Sequence, residues 1–191
     1  SIAMIPSGYK AGTVYSVLPL NGDGDLTFTR AGGKTRINEA QQIELLATGV
    51  PSIDYTGGGC PSLLLEPQAT NLITYSEDFS NAVWTKADTS VIIGKVSPSG
   101  DTDAYDLLNN NATNQAYINS NITVTPTNNY TFSVFVKKGN VRYIALANLN
   151  PFTLTYFDLQ DGVILNSTSV SSSIEDYGNG WYRCSVETVA D

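Results

Sequence analysis

Six residues in the C-terminal half have the types and spacing to do chemistry together: Phe135, Lys137, Tyr143, Tyr156, Trp181 and Arg183. In YTFSVFVKK, Phe132, Val134 and Val136 alternate with Thr131, Ser133, Phe135 and Lys137, so the first set faces a core and the second faces out. In VRYIALANL, Ile144 and Leu146 oppose Tyr143, Ala145 and Ala147; in FTLTYFDL, Phe157 and Leu159 oppose Leu154, Tyr156 and Asp158. In WYRCSVETV, Tyr182, Cys184 and Val186 oppose Trp181, Arg183, Ser185 and Glu187. The outward sets predict one sheet face that mixes aromatic rings with cations and hydroxyls. Such a face suits a sugar ring, whose CH groups stack on an aromatic plane while its hydroxyls find donors and acceptors alongside. Packing at a subunit interface is the competing reading of the same residues.

A second group consists of oxygen ligands. Glu77 and Asp78 precede the C-terminal strands, and Asp101 and Asp103 lie in the turn SPSGDTD. Carboxylates at flexible spacing suit a structural Ca2+, although Asp and Ser are also ordinary turn residues. No other cofactor is expected. Glu66, Asp158, Glu175, Asp176 and Glu187 are available as a pair for glycoside hydrolysis, but no signature sets any two apart and all read as solvated surface. The chain has no histidine, which excludes a Ser-His-Asp or Cys-His centre and the common His-containing zinc sites. The expectation is therefore a non-enzymatic protein.

These residues need strands to hold them. From Asn71 onward, strand-like runs follow one another with short turns: TNLITY, SVIIGKV, AYDLLN, Gln115 to Thr125, Tyr130 to Lys138, Val141 to Leu149, Phe152 to Leu159, GVILNS and Trp181 to Val189. Strands at this spacing without a long amphipathic helix predict an all-β, antiparallel sandwich of the jelly-roll type. Between Asp78 and Trp84 a loop is expected in which Phe79 and Trp84 turn back onto apolar surface. Residues 1–72 read differently. Short strands, at Thr13 to Leu18, Leu26 to Arg30 and TRIN, alternate with Gly-rich turns, and EAQQIELLATG is open between a helical turn and a strand. IDYTGGGCPSLLLE predicts a hairpin, since three successive glycines take positive φ at little cost. The expected division is 1–72, an attachment segment of strands and turns, and 73–191, the sandwich.

Charge narrows the partners. Ten Lys and Arg against eighteen Asp and Glu leave −8, with no cluster of cations, which argues against nucleic acid. No run approaches the roughly 18 apolar residues of a membrane helix, so membrane insertion is not expected. Cys60 and Cys184 offer no spacing pattern for a bridge, and Cys184, alternating with apolar neighbours, reads as a buried free thiol.

The run GKTRINEAQQIE…GVPSIDYTGGGCPSLLLEPQATNLITYSEDFSNAVWTK resembles a segment of many tail-fibre, tail-spike and other virion proteins of bacteriophages and prophages. There a stretch of the type VPRxDY…GxLLEPQxTNLLxYSxDFSNAxWTK precedes a β-sandwich similar to carbohydrate-binding modules. YTFSVFVKKGN, YFDLQDG and GNGWYRCSV also look like that sandwich, and the likeness spans roughly residues 10 to 190. Ala69 departs from it, standing where the pattern carries Arg. The resemblance implies a module of a tail fibre, tail spike or head fibre at the virion surface, receptor-binding or decorating. Its expected partners are a host-surface polysaccharide and other virion subunits, with a homo-trimer as the expected assembly.

Overall fold

A computed structural model describes residues 6–10, 12–16, 22–67 and 69–191. The described residues form strands and turns only, and the chain divides into two compact units, 1–69 and 70–191.

The N-terminal unit holds β1 (Pro6–Lys10), β2 (Thr13–Ser16), β3 (Leu26–Thr27), β4 (Lys34–Ile37), β5 (Ile43–Leu46), β6 (Ile53–Asp54) and β7 (Ser62–Leu63). They pair antiparallel as β1-β2-β3, β4-β5 and β6-β7. EAQQIELLATG resolves as a strand: Asn38 takes the amide of Gln42 on its side-chain oxygen and the amide of Gln41 on its carbonyl, turning the chain into β5. The glycine hairpin forms as expected, with Gly57, Gly58 and Gly59 at φ of 80, 73 and 87°. Val17 and Leu18, the end of one expected strand, lie outside the described residues. The strand expected over Leu26 to Arg30 is only Leu26–Thr27.

Side-chain clamps hold this unit. The Arg30 guanidinium reaches the carbonyls of Ala47 and Val50, at 2.9 Å each. Arg36 donates to Glu44 and to the carbonyl of Ile53, also at 2.9 Å each. The buried Asp54 accepts from the amides of Ile37 and Thr56 and from the Thr56 hydroxyl. Burial pushes the Asp54 carboxyl up, but the Thr56 hydroxyl and the two amides outweigh it and hold the group below its usual 3.8. Among the described residues of this unit, Val14, Leu46 and Pro51 are buried.

The C-terminal unit begins without the strand expected in TNLITY. The Asn71 side chain instead accepts from the Ile73 amide and donates to Ser76, an Asx turn that bends the chain. The loop that follows closes on itself. Asp78 takes the Ser80 amide and hydroxyl, Asn81 takes the Val83 amide, and the indole of the buried Trp84 donates 2.8 Å to the carbonyl of Tyr75. Phe79 meets Trp84 and Tyr105 edge-on, with centroids 5.0 and 5.7 Å apart. Thus Phe79 and Trp84 do fold inward.

Next come β8 (Thr85–Ala87), β9 (Thr89–Lys95), β10 (Ala104–Asn109) and β11 (Tyr117–Asn119), paired as β9-β10 and β8-β11. The strand expected from Gln115 to Thr125 is confined to three residues. The β9-β10 hairpin leaves the neighbours Ile92 and Ile93, and Leu107 and Leu108, exposed. Six further strands complete the unit: β12 (Asn129–Lys137), β13 (Tyr143–Leu149), β14 (Phe152–Asp158), β15 (Val163–Ser167), β16 (Ser171–Asp176) and β17 (Trp181–Val189). They form two antiparallel sheets, β12-β17-β16 and β13-β14-β15.

These two sheets share one core. Leu146, Phe157 and Leu159 from the second meet Cys184 and Val186 from the first, with Phe132, Val134, Val136, Ile144, Ile164, Ile174 and Tyr182 packed around them. The inward sets match the alternation in each strand, because the pleat sends successive side chains to opposite faces. Cys184 is fully buried and free, and burial alone pushes its thiol up to about 12; Cys60 is free and exposed.

Candidate functional site

The six aromatic and cationic residues do not form one face. Phe135 and Lys137 on β12, and Trp181 and Arg183 on β17, project outward from the β12-β17-β16 sheet. Tyr143 on β13 and Tyr156 on β14 project from β13-β14-β15. Since the inner faces of both sheets meet in a common core, these outer faces lie on opposite sides of it. Strand alternation separates inner from outer positions but carries no record of which sheet a strand joins, so the sequence placed all six together.

The β12-β17-β16 face is ordered in rungs. Lys137 pairs with Trp181; Phe135 with Arg183 and Glu175; Ser133 with Ser185 and Ser173; Thr131 with Glu187 and Ser171. At its aromatic end, Phe135 meets Tyr177 edge-on, with centroids 5.0 Å apart and planes at 88°. Tyr177 donates 3.5 Å to Glu175, and the Arg183 guanidinium lies 3.8 Å from the same carboxylate. Burial, then the Glu175 charge, raises the Tyr177 phenol above its usual range. The hydroxyls of Ser173 and Ser185 are hydrogen-bonded at 2.7 Å. The face therefore joins a half-buried aromatic group to a line of donors and acceptors.

The β16-β17 turn sets that aromatic end. Gly178, Asn179 and Gly180 take φ of 76, 52 and 78°, a left-handed run that glycine accepts freely. Asp176 accepts from the Gly178 amide, and across the turn the Tyr177 amide donates to the Trp181 carbonyl while the Trp181 amide donates to the Gly178 carbonyl. Tyr177 was not named as a site residue, and Glu175, read as a solvated surface carboxylate, was not placed on this face, because β16, a serine-rich strand without an apolar run, gives no alternation strong enough to announce itself.

The opposite face is more apolar. Tyr143 and Tyr156 are about half exposed, Ala145 lies across from Tyr156, and Leu165 is exposed on β15. The Arg142 guanidinium sits 5.3 Å from the Tyr143 ring centre. It also grips Asp158 through two nitrogens, 2.8 Å at the shorter oxygen contact of Nε, and reaches Asp161. Asp158, expected on a solvated surface, is 2% exposed. The Arg142 fork, which outweighs burial, and the amides of Gln160 and Asp161 hold its carboxyl down at about 2.

The carboxylates expected for Ca2+ are not gathered. No group of three or more acidic, Cys or His side chains stands at metal-binding distance among the described residues. Asp78 is engaged by Ser80 and by the Tyr105 hydroxyl at 3.0 Å, and these bonds hold it below its usual 3.8. Asp101 faces Ser99 within its own turn, while Glu77 and Asp103 are exposed.

No protein-family model matches the chain, and no curated protein is found to be similar to it.

Proposed function

We propose that this chain is a module of a phage virion protein that binds host-surface glycans through the outward face of β12-β17-β16. The observation that carries the reading is the aromatic group of Phe135, Tyr177 and Trp181 set beside Arg183, Glu175 and the serine rung. Aromatic rings supply stacking surface at low entropic cost, and the flanking polar groups give hydroxyls a defined geometry. The virion setting rests on the resemblance of LLLEPQATNL and YSEDFSNAVWTK to phage fibre and spike sequences. On this reading, the unit ahead of Thr70 is the attachment segment. The sandwich is a jelly roll, in which β12 and β17 are neighbours and the β13-β14-β15 meander crosses to the second sheet and back. The role is binding rather than catalysis.

The test is a polysaccharide array probed with the intact chain. Trp181→Ala and Phe135→Ala are expected to lose binding at least about tenfold, in line with the loss of one stacked ring, while Tyr156→Ala binds as before. A folded chain that captures no host polysaccharide overturns the reading.

A second reading has its own observation. Tyr143, Tyr156 and Leu165 expose apolar surface around the small Ala145 on the opposite face, as a contact between virion subunits would. Sedimentation equilibrium distinguishes the two: a stable trimer dissolved by Tyr156→Glu supports assembly through this face, and a monomer at all concentrations removes it.

A further inference from the structure

The glycan reading is deepened by the one cation of that face that has no partner. Of the ten Lys and Arg, eight are engaged. Arg30 and Lys86 bind backbone carbonyls. Lys34, Arg36, Lys95, Arg142 and Arg183 pair with carboxylates, and Lys138 binds Gln160. Only Lys10 and Lys137 have no polar partner among the described residues, and Lys137 lies directly across from Trp181.

We propose that Lys137 makes this face selective for an anionic sugar: a pyranose stacked at Trp181 whose carboxylate is held by the Lys137 ammonium. The inference rests on the glycan reading, and three features support it. First, the stem of Lys137 is placed. It runs beside Gly180, where an added Cβ would stand 3.5 Å from Cε and 4.0 Å from Cγ, so the methylenes lie along the turn and carry the charge to the aromatic end. Second, Glu175, the carboxylate on the neighbouring rung, is paired with Arg183, and Asp176 is turned to the Gly178 amide. Third, the next acid on β17, Glu187, is six residues from Trp181, roughly 20 Å along an extended strand and well beyond the screening length of about 8 Å at physiological salt. In a chain of net charge −8, an unpaired ammonium beside a stacking surface attracts a carboxylate ligand. A neutral sugar would leave it unused.

The test compares polygalacturonate with its fully methyl-esterified form, which share a backbone and differ in charge, alongside an array of other acidic and neutral polysaccharides. Binding of the intact chain is measured by calorimetry at low and high salt. The expected result is acidic polymers binding tighter than neutral ones by roughly three- to tenfold, as one charge-assisted contact at an exposed site allows. High salt and Lys137→Gln should each abolish that preference, and Lys10→Gln should leave it intact. Equal affinity for charged and neutral polymers, or a preference that survives Lys137→Gln, overturns the anionic selectivity while leaving the glycan reading in place. No binding to any polymer by a folded chain overturns both.

Discussion

The two units are built from the same kind of element, short antiparallel strands, and are held together by different physics. In the N-terminal unit the strands run two to five residues, too short to bury a shared apolar face. Charged side chains reach across to backbone carbonyls and amides instead, as Arg30, Arg36 and Asp54 do. In the C-terminal unit, strands of up to nine residues present alternating faces long enough to close a core around Phe157 and Cys184. Strand length thus selects the stabilising force. A hydrophobic core is cooperative and tolerates change at its edge, whereas a clamp depends on one side chain and on the partners it satisfies.

The sharpest way to break this contrast is at the core. Phe157→Ala should cost the C-terminal unit about 3–5 kcal/mol, the usual loss for a buried aromatic truncated in place. Chemical denaturation read at the Cys184 thiol checks it: Cys184 is buried and almost wholly protonated, so it should react with a thiol reagent only on unfolding, while the exposed Cys60 reacts at once. Reaction of Cys184 in the native protein at the rate of Cys60 would remove the shared core.

Next comes Arg142→Met, which strips the buried Asp158 of its partner and should lower the stability of the same unit at neutral pH. Its pH dependence is specific. The folded Asp158 carboxyl is held at about 2 against its usual 3.8, so its contribution is complete above pH 3.8 and disappears as the pH falls through 2. Wild type and variant should therefore converge over that interval, and a difference unchanged down to pH 2 would contradict the pairing.

A clamp in the N-terminal unit should matter less in absolute terms and more locally. Asp54→Ala leaves the amides of Ile37 and Thr56 without their acceptor, a loss of about 1–3 kcal/mol. Hydrogen exchange should speed up at those two amides and remain unchanged in β12 and β17. The smallest effect is expected at Glu66, the exposed partner of Lys34 at 2.7 Å: Glu66→Gln should cost under about 1 kcal/mol. A larger value would mean that this pair acts as a clamp as well.

Much of this was legible in the sequence, and for local reasons. Alternation alone told the inner from the outer residues of β12, β13 and β17, and of β14 except at Asp158, because the period of two is a property of the extended chain. The glycine hairpin depends on three successive residues that take positive φ, and the closure of YSEDFSNAVWTK on Trp84 on side chains bonding amides two residues away, both of which the sequence records. Other features were not legible. β16 has little apolar pattern of its own and exists because β17 pairs with it. The carboxylates expected to share a cation are each spent on a nearby donor or left at the surface. Asp158 looks like any surface acid until Arg142, sixteen residues earlier, is folded against it.

The aromatic site shows the same boundary most plainly. The sequence by itself determined that Phe135, Lys137, Tyr143, Tyr156, Trp181 and Arg183 all face away from the core. Only the tertiary structure decided that four share one face with Tyr177 while two occupy the other. The pleat operates within a strand, whereas sheet membership comes from pairing β12 with β17 across more than forty residues, and that choice is made by the core as a whole.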